Sequence, residues 1–284
     1  MTSTHHEILS QRDGYDPDFV GERVELPVGN DADDAVLVDG SPVIRYTRFS
    51  LELSKSRRLC RWVAWNIDGA TLPAEGDPNH IGRDDLEFTT DPRIDVTLQT
   101  TNKTYKNNRL DRGHVARRAD LLWGEHEAAV RANADSFFLT NITPQMDNFN
   151  QSAMRGLWGQ LENALLEDVD DANEKVTVIG GPVLDDDDPS YRGGQVPLEF
   201  WKIFVYQKDG EVRARAFLVT QSLEGLKTRD RLDEFVVYEK PVDEIAAKAG
   251  VTFDSKLSGL ARRGRPRERA AASRPLRSRT DIDW

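Results

Sequence analysis

Of the five histidines in the chain, His114 alone stands among residues that give an imidazole something to do. It lies in the run Leu110-Asp111-Arg112-Gly113-His114-Val115-Ala116. With an unperturbed pKa near ~6.5, an imidazole can take a proton from water at neutral pH. Arg112 adds a fixed positive charge two residues away, and the intervening glycine lets the backbone turn sharply or approach a ligand. The bland alternative is a hydrogen-bonded surface histidine, and this run alone does not decide between the two. A second stretch, residues 140–150 (TNITPQMDNFN), offers amide and carboxylate oxygens. Mg²⁺ typically takes one or two such donors and completes its octahedron with water and phosphate. Asn150, at the mouth of a helix, suits that task and equally suits a metal-free helix cap. Both readings stay open at this point.

The elements that must position these residues follow from periodicity. Residues 35–38, 43–49 and 61–67 (RWVAWNI) read as strands, as do 176–184, 200–206 and 212–220. The last two are joined by Gln207, Lys208, Asp209 and Gly210, which predicts a hairpin. From 151 to 169, Ala153, Met154, Leu157, Trp158, Leu161, Ala164, Leu165 and Val169 recur at helical spacing. A second helix, 242–249, stops at Gly250. Trp62, Trp65, Trp158 and Trp201 fall at core positions, Cys60 reads as a small buried residue, and Asp185 to Asp188 mark an exposed loop after a Gly-Gly-Pro turn.

Composition excludes several classes. A formal charge of −11 removes any global field for nucleic acid or anionic lipid, so a polyanion site must be local. One cysteine permits neither an internal disulfide nor a multi-thiolate zinc site. No apolar run approaches a bilayer span and the first residues lack the pattern of a secretory signal, so the expectation is a cytoplasmic protein without a membrane partner, export by a route without a signal peptide remaining open. Residues 261–284 carry eight Arg against Glu268, Asp281 and Asp283, and read as a disordered basic tail that is either plainly solvated or an electrostatic arm for nucleic acid. The expected division is 1–12 disordered, 13–258 a folded domain, and 259–284 the tail.

DRGH at 111–114, followed by NITPQ, FNQ and then WGQLE, resembles the DNA/RNA non-specific endonucleases, the ββα-metal nucleases related to endonuclease G. The segments RWVAWNIDG, RDDLEFTTDP, VIGGPV, VPLEFWKIFV and VDEIAAKAGVTF are similar to family segments in the same order, so the likeness covers roughly 14–257. It implies an α+β fold with a central, mainly antiparallel sheet flanked by helices and a ββα-metal active site. It also implies sequence-non-specific, metal-dependent hydrolysis of phosphodiester bonds in DNA and RNA, leaving 5′-phosphates. Carried over, His114 is the general base, Asn150 the direct ligand of one Mg²⁺ (Mn²⁺ substituting), and Glu162 a second holder of that ion through water. Arg83 stabilises transition-state charge and Arg112 holds the phosphate. DNA and RNA are the implied partners, with an inhibitor protein and a homodimer as open expectations.

Three features depart from the family pattern. Asn150 and Glu162 stand 12 apart where the family has about eight, which adds about one helical turn, and Gly156 and Gly159 offer a bend. Leu166 replaces a customary Arg, a contact that Arg117, Arg118 or Arg155 would have to supply, and in the Ala-Pro that usually follows DRGH one residue later the proline is missing, since the chain reads Val115-Ala116-Arg117. Two alternatives follow: a nucleic-acid-binding module whose chemistry has lapsed, and a phosphodiesterase acting on a small nucleotide.

Overall fold

The structure is a computed structural model that describes residues 8–73, 81–83, 86–150, 175–223, 237–263 and 274–276. In chain order the strands are β1 (Val28–Gly29), β2 (Ile44–Tyr46), β3 (Phe49–Leu53), β4 (Cys60–Asp68), β5 (Leu110–His114), β6 (Ile142–Met146), β7 (Lys175–Pro182), β8 (Ser190–Tyr191), β9 (Gly194–Gln195), β10 (Glu199–Lys208), β11 (Glu211–Thr220), β12 (Val237–Glu239), β13 (Val251–Thr252) and β14 (Arg274–Leu276). The helices are α1 (His126–Ser136), α2 (Asp147–Asn150), α3 (Val242–Ala249) and α4 (Ser255–Arg263). One eight-stranded sheet runs in the order β14-β12-β11-β10-β7-β4-β3-β2 with every pairing antiparallel.

Because side chains alternate across a strand, the central strands feed two cores. On one face, Val63, Trp65 and Ile67 of β4 join Val176 and Val178 of β7 and Phe200 and Phe204 of β10. Leu110, Ile142, Met146 and Phe149 pack there, so this face carries the separate β5–β6 hairpin and the start of α2. On the other face, Trp62, Ile179, Trp201 and Ile203 meet Ile245 of α3 and Leu257 and Leu260 of α4. Burial on both faces explains why RWVAWNI is an almost unbroken apolar run. The three tryptophans Trp62, Trp65 and Trp201 and the thiol of Cys60 are fully buried, as their positions predicted.

The β10–β11 hairpin closes on Asp209 and Gly210, both at positive φ (53° and 78°), the two-residue turn that matches strand twist. Helix α3 ends at Gly250 in the left-handed conformation. Other expectations need correcting. Residues 43–49 are not one strand: the chain folds back at Thr47 and Arg48 to give β2 and β3. Asp135 of α1 causes the reversal by accepting from the Thr47 amide (2.9 Å) and hydroxyl (2.7 Å), and Arg48 takes φ 70°. Residues 35–38 make only isolated bridges. The Asp185–Asp188 loop is not wholly exposed, because Asp188 is buried and paired with Arg57. The limit at 258/259 falls inside α4, and 274–276, expected to be disordered tail, form the edge strand β14. The predicted helix 151–169, with Trp158 and Glu162, lies outside the described residues.

Phe149 fixes the first turn of α2 to the sheet: it is fully buried with its ring 5.3 Å from that of Phe200. Phe149→Ala is expected to cost about 3–5 kcal/mol of stability, read from the urea midpoint. A loss under about 1 kcal/mol would show that this contact does not seat the helix.

Candidate active site

The DRGH run is strand β5, and NITPQ supplies the start and body of β6. They pair in one continuous antiparallel register from Leu110–Met146 at one end to His114–Ile142 at the other. Helix α2 follows β6 without a gap and packs against both strands, so strand, strand and helix form one unit. Its corner is tied three ways. Asp147 receives the Arg109 guanidinium (2.7 Å) and its amide donates to the Arg109 carbonyl (2.9 Å), while Gln221 accepts from the Met146 amide (2.9 Å) and donates to the Pro144 carbonyl (3.2 Å). Asn150 is the last described residue of α2, whose first turn begins at Asp147. Asn150 thus lies within a helical turn that begins three residues earlier, and the helix it was expected to cap, 151–169, lies outside the described residues.

Gly113 permits the close pairing. A Cβ there would lie 2.1 Å from Gln145 Cδ and Oε1, and Gln145 is fully buried. The chain leaving His114 is clamped by Asn141, whose carbonyl accepts from Val115 N (2.9 Å) and whose side chain both accepts from Ala116 N (2.9 Å) and donates to Ala116 O (3.0 Å). This clamp does the work expected of the missing proline.

His114 stands beside the Phe88 ring (5.6 Å) and edge-on to Phe137 (5.4 Å). The residue keeps some exposed surface, yet Nε2 itself is buried and has no hydrogen-bond partner among the described residues. Burial, with the positive charges of Arg83 and Arg118 adding to it, pushes its pKa down to about 3. The imidazole is therefore neutral at pH 7 and has a lone pair to offer. Arg118, whose pKa is itself lowered first by burial and then by Arg83 and Arg117, donates to the carbonyl of Ile81 (2.9 Å) and to Asn133 Oδ1 (3.0 Å). Asn133 in turn donates to the Gly82 carbonyl (3.1 Å), so the two residues before Arg83 are strapped down while Arg83 is exposed.

Arg112 lies two residues from His114 and hence on the same face of β5. Its Nε donates to Asn102 Oδ1 (2.7 Å), and its guanidinium lies over Phe88 (5.4 Å) and Tyr105 (5.1 Å). The structure thus brings His114, Arg83 and Arg112 into one neighbourhood and adds Arg118, which the sequence offered only as a substitute phosphate contact. Glu162 lies outside the described residues. Sequence reasoning also passed over Asp91. This fully buried carboxylate accepts from Tyr46 Oη (2.5 Å) and Arg93 Nη2 (2.6 Å), and Tyr46 also meets Thr140 Oγ1 (2.7 Å). Together with the Leu139 amide bonding to the Thr89 carbonyl (2.8 Å), this network joins the segment carrying Phe88 to the entry of β6. The only sequence signal was an Asp-Pro turn.

Among the described residues no three His, Cys, Asp or Glu side chains gather as a metal cage. A hard divalent ion held by one amide oxygen and water needs no such cage, and Asn150, by residue type and by its place on α2, fits that donor set.

A family model described as DNA/RNA non-specific endonuclease matches residues 33–260. The chain belongs to that family. The protein y4fB of Sinorhizobium fredii, described as uncharacterized, is 36% identical over 229 residues, covering 74% of this chain and 33% of its own. Human mitochondrial endonuclease G is 26% identical over 216 residues, covering 72% of this chain and 65% of its own. This chain therefore spans between a third and two thirds of these relatives. The crystal structure of an EndoG/EndoGI complex superposes with a TM-score of 0.57 at 21% identity, covering 75% of this chain and 87% of that one, and carries the same ββα-metal nuclease fold.

Two outcomes test this geometry. Gly113→Ala forces Gln145 to move and is expected to cost about 1–3 kcal/mol, measured by denaturant unfolding; an unchanged midpoint contradicts the close pairing. For His114, the folded pKa of about 3 lies below the unfolded ~6.5, so the unfolded chain binds the extra proton between those values. Its contribution to stability is present above about pH 6.5 and is lost as pH falls through that window. NMR of the ring nitrogens should find His114 still neutral at about pH 5, and protonation near pH 6 would contradict the assigned environment.

Proposed function

We propose that the protein is a metal-dependent endonuclease that hydrolyses phosphodiester bonds in DNA and RNA with little sequence preference. The observation that carries this reading is the buried Nε2 of His114, without a hydrogen-bond partner among the described residues and beside Arg83 and Arg118, at the end of a hairpin that runs directly into α2. A neutral imidazole nitrogen among fixed cations can accept a proton from water next to a phosphodiester anion. Burial is the main cause of the low basicity of His114, and a bound phosphate offsets the smaller part that comes from Arg83 and Arg118, so the basicity rises when substrate is present. Arg83 and Arg112 meet the non-bridging oxygens, since a guanidinium stays charged and forks onto two of them.

Asn150 would hold one Mg²⁺, with Mn²⁺ as a substitute and Glu162 as the outer carboxylate. Bound there, the ion supplies Lewis-acid stabilisation of charge on the phosphate and the departing 3′ oxygen. Water attack on phosphorus with departure of that oxygen leaves 5′-phosphates. Contacts made to phosphate carry no base information, which accounts for the lack of sequence preference. The folded unit extends from about residue 13 through α4, and DNA and RNA are its substrates. An inhibitor protein and a homodimer belong to the same proposal, the former motivated by the EndoG/EndoGI complex.

His114→Ala is expected to keep the fold and lose roughly 10²–10⁴-fold in supercoiled-plasmid cleavage. A chelator should abolish wild-type cleavage and added Mg²⁺ should restore it. Near-normal cleavage by the variant overturns the base assignment, and cleavage indifferent to chelator overturns the metal.

A further inference from the structure

A chain of net charge −11 has, directly beside Arg112, a rim of cations that pair with no carboxylate among the described residues. The 3-10 turn Asn102–Tyr105 receives Arg112 through Asn102 Oδ1 and the Tyr105 ring. Lys103 and Lys106 stand exposed on this segment, and neither pairs with a carboxylate among the described residues. The β8–β9 hairpin leans on the same segment. At its tip Arg192, at φ 49°, donates to the carbonyls of Lys103 (3.5 Å) and Lys106, and Arg58 donates to the carbonyl of Gly193. These bonds go to main-chain oxygens, so they fix the guanidinium groups without neutralising them. At the foot of the hairpin the buried Asp188 is already matched by Arg57, whereas Asp185, Asp186 and Asp187 are exposed in the loop before it.

We propose that Lys103, Lys106 and Arg192, backed by Arg58, form a ridge that holds the sugar-phosphate backbone of a polynucleotide flanking the scissile phosphate, so that long chains are bound in preference to short diesters. This rests on the endonuclease reading above. The chain of contacts is continuous: His114 adjoins Phe88, Phe88 adjoins Arg112, and Arg112 is held by the segment that carries the lysines. Point charges pinned by backbone bonds attract phosphates without reading bases. A local ridge also explains how an acidic protein binds a polyanion at all.

The test uses the full chain, a fluorescent 20-mer duplex and supercoiled plasmid. Each lysine on a phosphate contributes about one to the slope of log affinity against log salt. Lys103→Ala/Lys106→Ala is expected to flatten that slope by about 2, weaken duplex binding about tenfold at ~0.1 M salt, and raise the plasmid KM with kcat held within about twofold. Lys103→Arg/Lys106→Arg should restore the slope. Neither lysine side chain makes a bond among the described residues, so the fold does not depend on them. A slope and KM equal to wild type overturn the ridge while leaving the nuclease reading intact. Wild-type binding that depends on the lysines without any cleavage supports the ridge and removes the nuclease reading. Wild-type protein that binds no DNA overturns both.

Discussion

The imidazole nitrogen of His114, kept out of water beside arginines and without a hydrogen-bond partner among the described residues, is an unfavourable arrangement, because a buried polar atom without a hydrogen bond costs about 1–3 kcal/mol and burial, then the nearby charges, oppose its protonation. The surrounding fold is arranged to hold it there. The β5–β6 register fixes where His114 falls, Gly113 lets Gln145 pass beneath the strand, and Asn141 clamps the exit on both sides of Ala116. Phe88 and Phe137 wall the ring, and the segment that brings Phe88 is fastened through the buried Asp91–Tyr46–Thr140 contacts. Together these contacts hold the ring of His114 in place.

The same face of the large sheet sets the second half of the site. Phe149, packed on Phe200, and the Arg109–Asp147 pair decide where the first turn of α2 begins relative to β5. The electrostatics are also local. Arg83, Arg112 and Arg118 gather by the hairpin, and several carboxylates of the described residues are spent in pairs such as Arg57–Asp188 and Arg93–Asp91. Net charge is therefore a poor guide to what this surface attracts.

Much of this was legible in the residues. The central strands announced themselves by continuous apolar runs, the β10–β11 hairpin by Asp209-Gly210, and the end of α3 by Gly250, since each depends on interactions within a few residues. The reversal at Thr47 and Arg48 was not legible, because its cause is Asp135, 88 residues away, and the local pattern of 43–49 alternates as one strand would. Asp188 was missed for the same reason, since an acidic run reads as exposed until Arg57, 131 residues away, is known to meet it, and nothing local to Asp91 announced the Tyr46 hydroxyl, 45 residues away, that joins Arg93 on it. For the site, DRGH gave His114 and Arg112, while Asn141 and Gln145 stood in plain view within NITPQ without a role until pairing across the hairpin assigned one.

The central claim is that His114 and Asn150 converge on one divalent ion at the junction of hairpin and helix. The most direct measurement is titration of the folded protein with Mn²⁺ while the ring signals of His114 are followed by NMR. The account predicts selective paramagnetic broadening of His114 at low Mn²⁺ that disappears in Asn150→Ala. Sharp His114 signals under saturating Mn²⁺, or broadening that persists in Asn150→Ala, would contradict it.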